Sequence, residues 1–288
     1  MDTRPDAAPI LENLAETHRS IVNTWECDEN AHLNVQFYFK RFDEAARFFA
    51  AAHGGALDGA APRVRHVRFH AELHVGATTR TLSGTIADGP FRGHVVHLLE
   101  NLETGALAAT ALDTPSVTDD AHAVPAAAVA RALPRGVEPE PALAMSGEAM
   151  LATGGLIAIR SIALPGECDA AGRLTEQFYV ARFTDAAPHV WEHGGVTIQW
   201  LRQHNYGRVA LEMKLTHHES ARAGDGLVLY ARPAAFSGKT FMMRHEMKRL
   251  SDGAPLVTVE VVAVILDLET RKTVALPATL GPDATDGR

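Results

Sequence analysis

The strongest constraint on how this chain folds is a phrase written twice. Glu26-Cys27-Asp28 stands ahead of Gln36-Phe37-Tyr38, and 141 positions later Glu167-Cys168-Asp169 stands ahead of Gln177-Phe178-Tyr179. The same offset carries Arg19-Ser20-Ile21 onto Arg160-Ser161-Ile162, Leu33 onto Leu174, Arg41-Phe42 onto Arg182-Phe183, and Gly54 onto Gly195. Matches this dense mark a duplicated domain. The copies part company just after the shared aspartate: Asp28 is followed by His32 and Asn34, whereas Asp169 is followed by Arg173 and Thr175.

The duplication sets the organisation as one domain over 1–114, an Ala/Pro/Gly-rich linker over 115–155 with a short helix near Ala126 to Leu133, and a second domain over 156–288. Within each copy the hydrophobic periodicity gives a short strand, the aspartate loop, one long helix and then several strands. Val35, Tyr38, Phe42, Ala45, Ala46 and Phe49 recur at helical spacing, with Asn34 as N-cap and Gly54-Gly55 as stop, which predicts a helix over 35–53. Its counterpart over 176–193 contains Pro188 and is expected to kink or split there, because proline removes a backbone donor. Strands are expected over 64–75, 78–88, 94–102 and 106–113, and again over 207–217, 226–234, 240–250 and 256–268. The hairpin turns Leu102-Glu-Thr-Gly105 and Leu250-Ser-Asp-Gly253 match at an offset of 148, so seven residues enter between the second helix and its last hairpin.

A helix this apolar must be buried, and the partner available in each copy is an antiparallel sheet, which makes the class α+β. Two such units in one chain can pair sheet edge to sheet edge. Nothing resembles a membrane span, and the start lacks the basic-then-apolar order of a signal peptide, so a soluble cytoplasmic protein is expected. The formal charge of −8 argues against nucleic acid as a partner. The two cysteines, Cys27 and Cys168, sit at equivalent positions and are expected to be reduced thiols. No nucleotide-binding glycine loop or Gly-x-Ser-x-Gly element is present, and neither a cofactor nor a metal is expected.

Asp28 lies shortly before a helix N-terminus, where unpaired backbone N–H groups favour negative charge and can polarise a carbonyl. A carboxylate beside such a carbonyl can attack it or deprotonate water to attack it. His32 is placed to orient the water or the carbonyl oxygen, and Asn34 either to hold that imidazole or to cap the helix. Asp28-x-x-Ala31-His32-x-Asn34-x-x-x-Tyr38, running on to Phe42 and Glu44-Ala45, resembles the Asp-x-x-Gly-His-x-Asn segment of hotdog-fold acyl-CoA thioesterases of the 4-hydroxybenzoyl-CoA thioesterase type. Ala31 departs from the family's usual glycine, and copy two keeps Gly172 but not the His and Asn.

The resemblance covers about 15–114 and 156–280 and implies a tandem double hotdog, each sheet wrapped around its helix and the two paired as an internal pseudo-dimer. It implies an acyl-CoA thioesterase with Asp28 as general base or nucleophile and with His32 and Asn34 as positioning residues. The competent site is expected in copy one, completed by copy two. Asp169, Arg173, Glu72 and Glu219 are the expected substrate-binding residues; Glu72 and Glu219 fall near the same place on the second strand of each copy, though their spacing to glycine differs by one, and they read either as carboxylates reaching the other copy's aspartate loop or as a solvated strand face. In His70-Ala-Glu72-Leu-His74, a strand would point all three polar residues to one face. The rival readings are a non-catalytic acyl-CoA binder and a hotdog enoyl-CoA hydratase, and exposed sheet edges allow a homodimer.

Overall fold

The computed structural model describes residues 12–28, 31–53, 63–117 and 119–277, and they form two compact units that divide between Arg135 and Gly136. The first contains β1 (Ala15–Ile21), α1 (Val35–Ala52), β2 (Val64–Phe69), β3 (Thr78–Ile86), β4 (Val95–Asn101), β5 (Leu107–Asp113) and the short β6 (Ala123–Val124). Its antiparallel strands run in the order β1-β3-β4-β5-β2, with β6 parallel beside β3. The second contains α2 (Gly147–Ala152), β7 (Leu156–Ile162), α3 (Glu176–His193), α4 (Ile198–His204), β8 (Tyr206–His217), β9 (Gly226–Ser237), β10 (Thr240–Arg249) and β11 (Pro255–Asp267). Its strand order, β7-β9-β10-β11-β8, repeats the first unit's strand for strand. Each unit is the expected hotdog.

The helices exist because one face of each is buried. Along α1 that face is Tyr38, Phe39, Phe42, Ala45 and Phe49, packed on β1, β3 and β4. Burying an aromatic of this size is worth about 1.5–3 kcal/mol, so tertiary burial rather than local propensity holds the helix. Asn34 caps α1 by accepting from Gln36 N at 3.2 Å. The C-cap is His53, and the predicted Gly54-Gly55 stop lies outside the described residues.

Much of the repeated phrase turns out to be one buried device. Arg41 reaches from α1 to Ser20 Oγ (3.0 Å), Phe37 O (3.0 Å), Ile21 O (3.0 Å) and Glu26 Oε2 (2.9 Å). Arg182 repeats it with Ser161 Oγ (2.9 Å), Phe178 O (2.8 Å), Ile162 O (2.9 Å) and Glu167 Oε2 (2.7 Å). The same glutamate closes the single helical turn before the aspartate by accepting from Asn23 N or Leu164 N, both at 2.9 Å. Burial opposes the charge on Glu26, but Arg41 and the Asn23 N–H override it and hold the carboxyl below its ordinary range. One guanidinium thus ties strand, turn and helix together and fixes where the aspartate loop begins.

Several expectations are corrected. α3 runs unbroken through Pro188, because Phe183, Ala186, Val190 and Trp191 are buried on both sides of it and fix the axis. The first expected strand ends at Phe69 rather than Val75, since His70 N and Ala71 N both turn onto Ala108 O and the segment leaves the sheet. The inserted residues do enter between the second helix and its last hairpin as expected, and they do so before β8, where the seven-residue α4 lies, because the offset is already 148 at His70 and His218, which bond Thr110 and Thr258 in the same way. The expected short helix is a 3-10 segment, Ala126–Ala132, broken at Val129.

The linker is not a free tether. Its residues up to 135 belong to the first unit. Beyond that, Gly136 N and Val137 N donate to the Glu212 carboxylate, Lys214 Nζ to Glu138 O and Glu140 O, and Met145 N to Glu246 Oε1. These buried polar side chains of β8 and β10 satisfy backbone that would otherwise sit against a sheet face without partners.

β3 contains Gly84 because the chain before β6 crosses it closely. A Cβ there would meet His122 O at 2.3 Å and Leu14 Cδ2 at 2.5 Å. Gly84→Ala is therefore expected to cost about 1–3 kcal/mol, read as a lowered urea midpoint, and a neutral substitution would contradict this packing.

Candidate active site

The aspartate loop is a tight closed turn built the same way twice. Asp28 N donates to His32 O (2.8 Å), Ala31 N to Asp28 O (3.0 Å), and His32 N to Asp28 Oδ1 (3.1 Å). In the second unit Asp169 N donates to Arg173 O (2.8 Å), Gly172 N to Asp169 O (2.9 Å), and Arg173 N to Asp169 Oδ1 (3.0 Å). The turn requires a left-handed residue, at φ 73° in Gly172 and φ 60° in Ala31. This is the physical reason for glycine in the motif, and Ala31 carries about 1–2 kcal/mol of local strain in its place. Leu33 N then bonds Leu73 O (2.7 Å), and Leu174 N bonds Ala221 O (2.9 Å), which docks each loop on the segment following β2 or β8.

That docking gives the register between the copies and corrects one equivalence. Leu73 matches Ala221, so Glu72 corresponds to Ser220 and His74 to Arg222; Glu219 is the counterpart of Ala71. Glu219 instead pairs with Arg249 at 2.9 Å. His70, Glu72 and His74 do not share a face either. His70 bonds Thr110 Oγ1 at 3.2 Å, and burial pushes its imidazole down to about 4. Glu72 and His74 lie instead beside His32 of their own unit.

In the first unit, His32 Nε2 is 3.5 Å from Glu72 Oε2, and the His32 and His74 rings meet edge to face with centroids 4.8 Å apart. The ligand atoms of His32, Glu72 and His74 all lie within 4.8 Å of one another, so the trio is also able to grip a cation. Asn34 spends its side-chain oxygen on the cap of α1. Tyr38 lies under the loop, its phenol pushed well above the ordinary range by burial.

In the second unit the same frame carries different chemistry. Arg173 Nε donates to Asp169 Oδ2 at 3.1 Å while Ala171 N and Arg173 N occupy Oδ1. Burial works against ionisation of Asp169, but these backbone hydrogen bonds and the guanidinium prevail and hold it below the usual carboxylate range. A carboxylate clamped by an arginine is a poor base and a poor nucleophile. Thr175 gives no side-chain cap to α3 and donates instead to Glu167 O at 3.2 Å.

A further arrangement lies in the first unit's sheet around His97, which the offset of 148 repeats as His245. Ser83 Oγ lies 2.7 Å from His97 Nδ1, His97 Nε2 lies 3.2 Å from Asp113 Oδ2, and Arg65 clamps Asp113 at 2.7 and 2.6 Å. The order mimics a nucleophile, base and acid. Yet Ser83 and His97 have no exposed surface and Asp113 is 2% exposed, so a substrate has no approach. In the second unit the matching residues are Ala231, His245, Val261 and Met213, and burial pushes His245 down to about 4.

The cysteines are free thiols, held protonated by burial. No helix among the described residues is long and apolar enough to cross a membrane.

The model of the thioesterase-like superfamily matches residues 22–133 and 163–282, one segment per unit. The chain belongs to the thioesterase-like superfamily. It is accordingly a thioester hydrolase by family. No curated protein matches it in sequence. Among solved structures it is similar to an acyl-ACP thioesterase from Bacteroides thetaiotaomicron, at 11% identity and TM-score 0.59, covering 88% of this chain and 98% of that one. A putative oleoyl thioesterase from Lactobacillus plantarum gives 10% identity and TM-score 0.61 over 88% and 98%. The 12:0-ACP thioesterase from Umbellularia californica gives 13% identity and TM-score 0.55 over 87% and 94%. At these identities the likeness is one of fold, and it runs through both repeats.

Proposed function

We propose that this superfamily member hydrolyses acyl-CoA thioesters at the Asp28 loop, with the Asp28 carboxylate as general base or nucleophile. The observation that carries the reading is the contrast between two loops of one geometry: Asp169 is clamped by Arg173, whereas Asp28 has His32 in the arginine's place, beside Glu72. A carboxylate acting as base accepts a proton from water as the water attacks the thioester carbonyl, and returns it to the departing thiolate. Acting as nucleophile, it forms an anhydride that water then opens. In either route His32, oriented by Glu72, positions the water or the carbonyl oxygen. Asn34 contributes by fixing the start of α1. Asp169, Arg173 and the arginine-bearing second loop serve binding rather than chemistry.

The test is release of free thiol over a panel of acyl-CoAs spanning short, long and aromatic acyl groups. Hydrolysis of at least one member is expected. Absence of hydrolysis across the panel, with enoyl-CoA hydrated and its thioester intact, would replace the esterase reading with a hydratase.

A further inference from the structure

Away from the Asp28 loop, His53, Asp119 and His122 form a cluster that thioester hydrolysis does not use. His53 caps the C-terminal end of α1, and Asp119 and His122 lie just before β6. Asp119 Oδ2 is 2.5 Å from His122 Nδ1 and 3.3 Å from His53 Nε2. The three ligand atoms all lie within 4.8 Å of one another.

The hydrogen bonding around the cluster sets its chemistry. His53 Nδ1 is 2.7 Å from Phe49 O. A carbonyl only accepts, so Nδ1 carries the proton, and Nε2 of the neutral ring turns its lone pair toward a carboxylate. Two acceptors facing each other at this distance repel unless a cation sits between them, either a proton or a metal ion. A carbonyl on the second ring nitrogen is how metal-ligating histidines are held.

The other two ligands are pinned as firmly. Asp119 Oδ1 accepts from Ala121 N at 3.0 Å, which orients the carboxylate. Thr85 of β3 holds Asp119 O through Oγ1 (2.5 Å) and His122 O through N (3.1 Å). Burial resists the Asp119 charge, but hydrogen bonds from His122 and Ala121 override it and keep the carboxyl below its usual range. Phe49 packs at a tilt against His53 with centroids 4.4 Å apart, and the His53 and His122 rings meet edge to face at 5.1 Å. Three donors from two segments far apart in the chain, His53 on one and Asp119 with His122 on the other, are thus preformed, with the His122 side chain still 30% exposed.

We propose that His53 Nε2, Asp119 Oδ2 and His122 Nδ1 bind a divalent transition-metal ion of the zinc class, leaving the remaining position to water. Two imidazoles and one carboxylate form a donor set that suits zinc. On binding, the ion takes the place of the protons shared among the three side chains, and these pass to solvent. Copy two has Gly194 at the position of His53, so it does not repeat this donor.

The experiment is isothermal titration of chelator-treated protein with zinc chloride, using wild type, Asp119→Asn, His122→Asn and His74→Asn. Asp119→Asn keeps the acceptor for Ala121 and serves if His122→Asn does not fold. Wild type is expected to bind zinc with an accompanying rise in melting temperature, and Asp119→Asn and His122→Asn to weaken that binding by at least about tenfold. His74→Asn controls for the cluster at His32 and should leave it intact. Absence of zinc binding by wild type, an isotherm unchanged in Asp119→Asn and His122→Asn, or binding lost only in His74→Asn would overturn the assignment. Acyl-CoA hydrolysis does not enter these readouts.

Discussion

Asp28→Asn is expected to lower acyl-CoA hydrolysis on the order of 10²–10⁴-fold, while Asp169→Asn leaves it near the wild-type rate. The substitution is a sharp one because asparagine retains an oxygen to accept from His32 N, the bond that closes the loop at 3.1 Å. The proton-accepting or attacking function is removed while that bond is kept. An unchanged melting temperature with collapsed thiol release therefore locates the defect in chemistry rather than folding. Asp169 offers the internal control, since its loop has the same backbone bonds but its Oδ2 already faces Arg173 at 3.1 Å. Equal rates in wild type and Asp28→Asn would remove Asp28 from the mechanism. Loss confined to Asp169→Asn would move the reaction to the second copy. Binding of acyl-CoA retained by an Asp28→Asn protein whose parent shows no hydrolysis would mark the chain as a binder.

Asp113→Ala carries the largest expected stability effect, a loss of about 3–5 kcal/mol. Arg65 has no exposed surface and Asp113 is 2% exposed, and their two hydrogen bonds are 2.7 and 2.6 Å long. Removing the carboxylate takes a two-bond partner from a buried guanidinium and an anchor from His97. The second unit indicates the remedy, because Met213 and Val261 stand opposite each other in its sheet where Arg65 and Asp113 do in the first. Arg65→Met combined with Asp113→Val is expected to recover most of the loss, since buried ion pairs are often replaced by apolar pairs at little cost.

The pH dependence follows from the direction of the shift. Burial alone would raise the Asp113 carboxyl, but the adjacent Arg65 charge and hydrogen bonds hold it well below its ordinary range. A lowered folded value gives stability that is present above the unfolded value, about 4, and is lost as pH falls toward the folded one. Urea midpoints should therefore separate wild type from Asp113→Ala widely at neutral pH and converge in strong acid. A constant gap across that range would contradict the coupling.

The boundaries of both long helices, the strand content and the duplication were legible because they follow from periodicity and from repeated identities. The repeated glutamate, arginine and serine were visible as a pattern, but their meaning was not. Arg41 and Arg182 stand in the sequence only as matched positions of the repeat, and the fold shows them buried and converging on β1 and β7. Pro188 misled because its local cost is real, while packing on both sides outweighs it. Glu72 and Glu219 lie near the same place in their copies but differ by one residue in their spacing to glycine, and the hydrogen-bond register of the two loops bears out that offset.

The sequence by itself determined that a domain occurs twice, that each copy wraps a sheet on one helix, and that the copies differ after the shared aspartate. Those are properties of residue order and composition along a local stretch. Only the tertiary structure decided that His32 stands beside Glu72 and His74, that Arg173 closes on Asp169, and that His53 meets Asp119 and His122. Each such meeting joins side chains remote in sequence or turned by a few degrees of backbone, and hydrogen bonds and charge act over distances that only the folded chain sets.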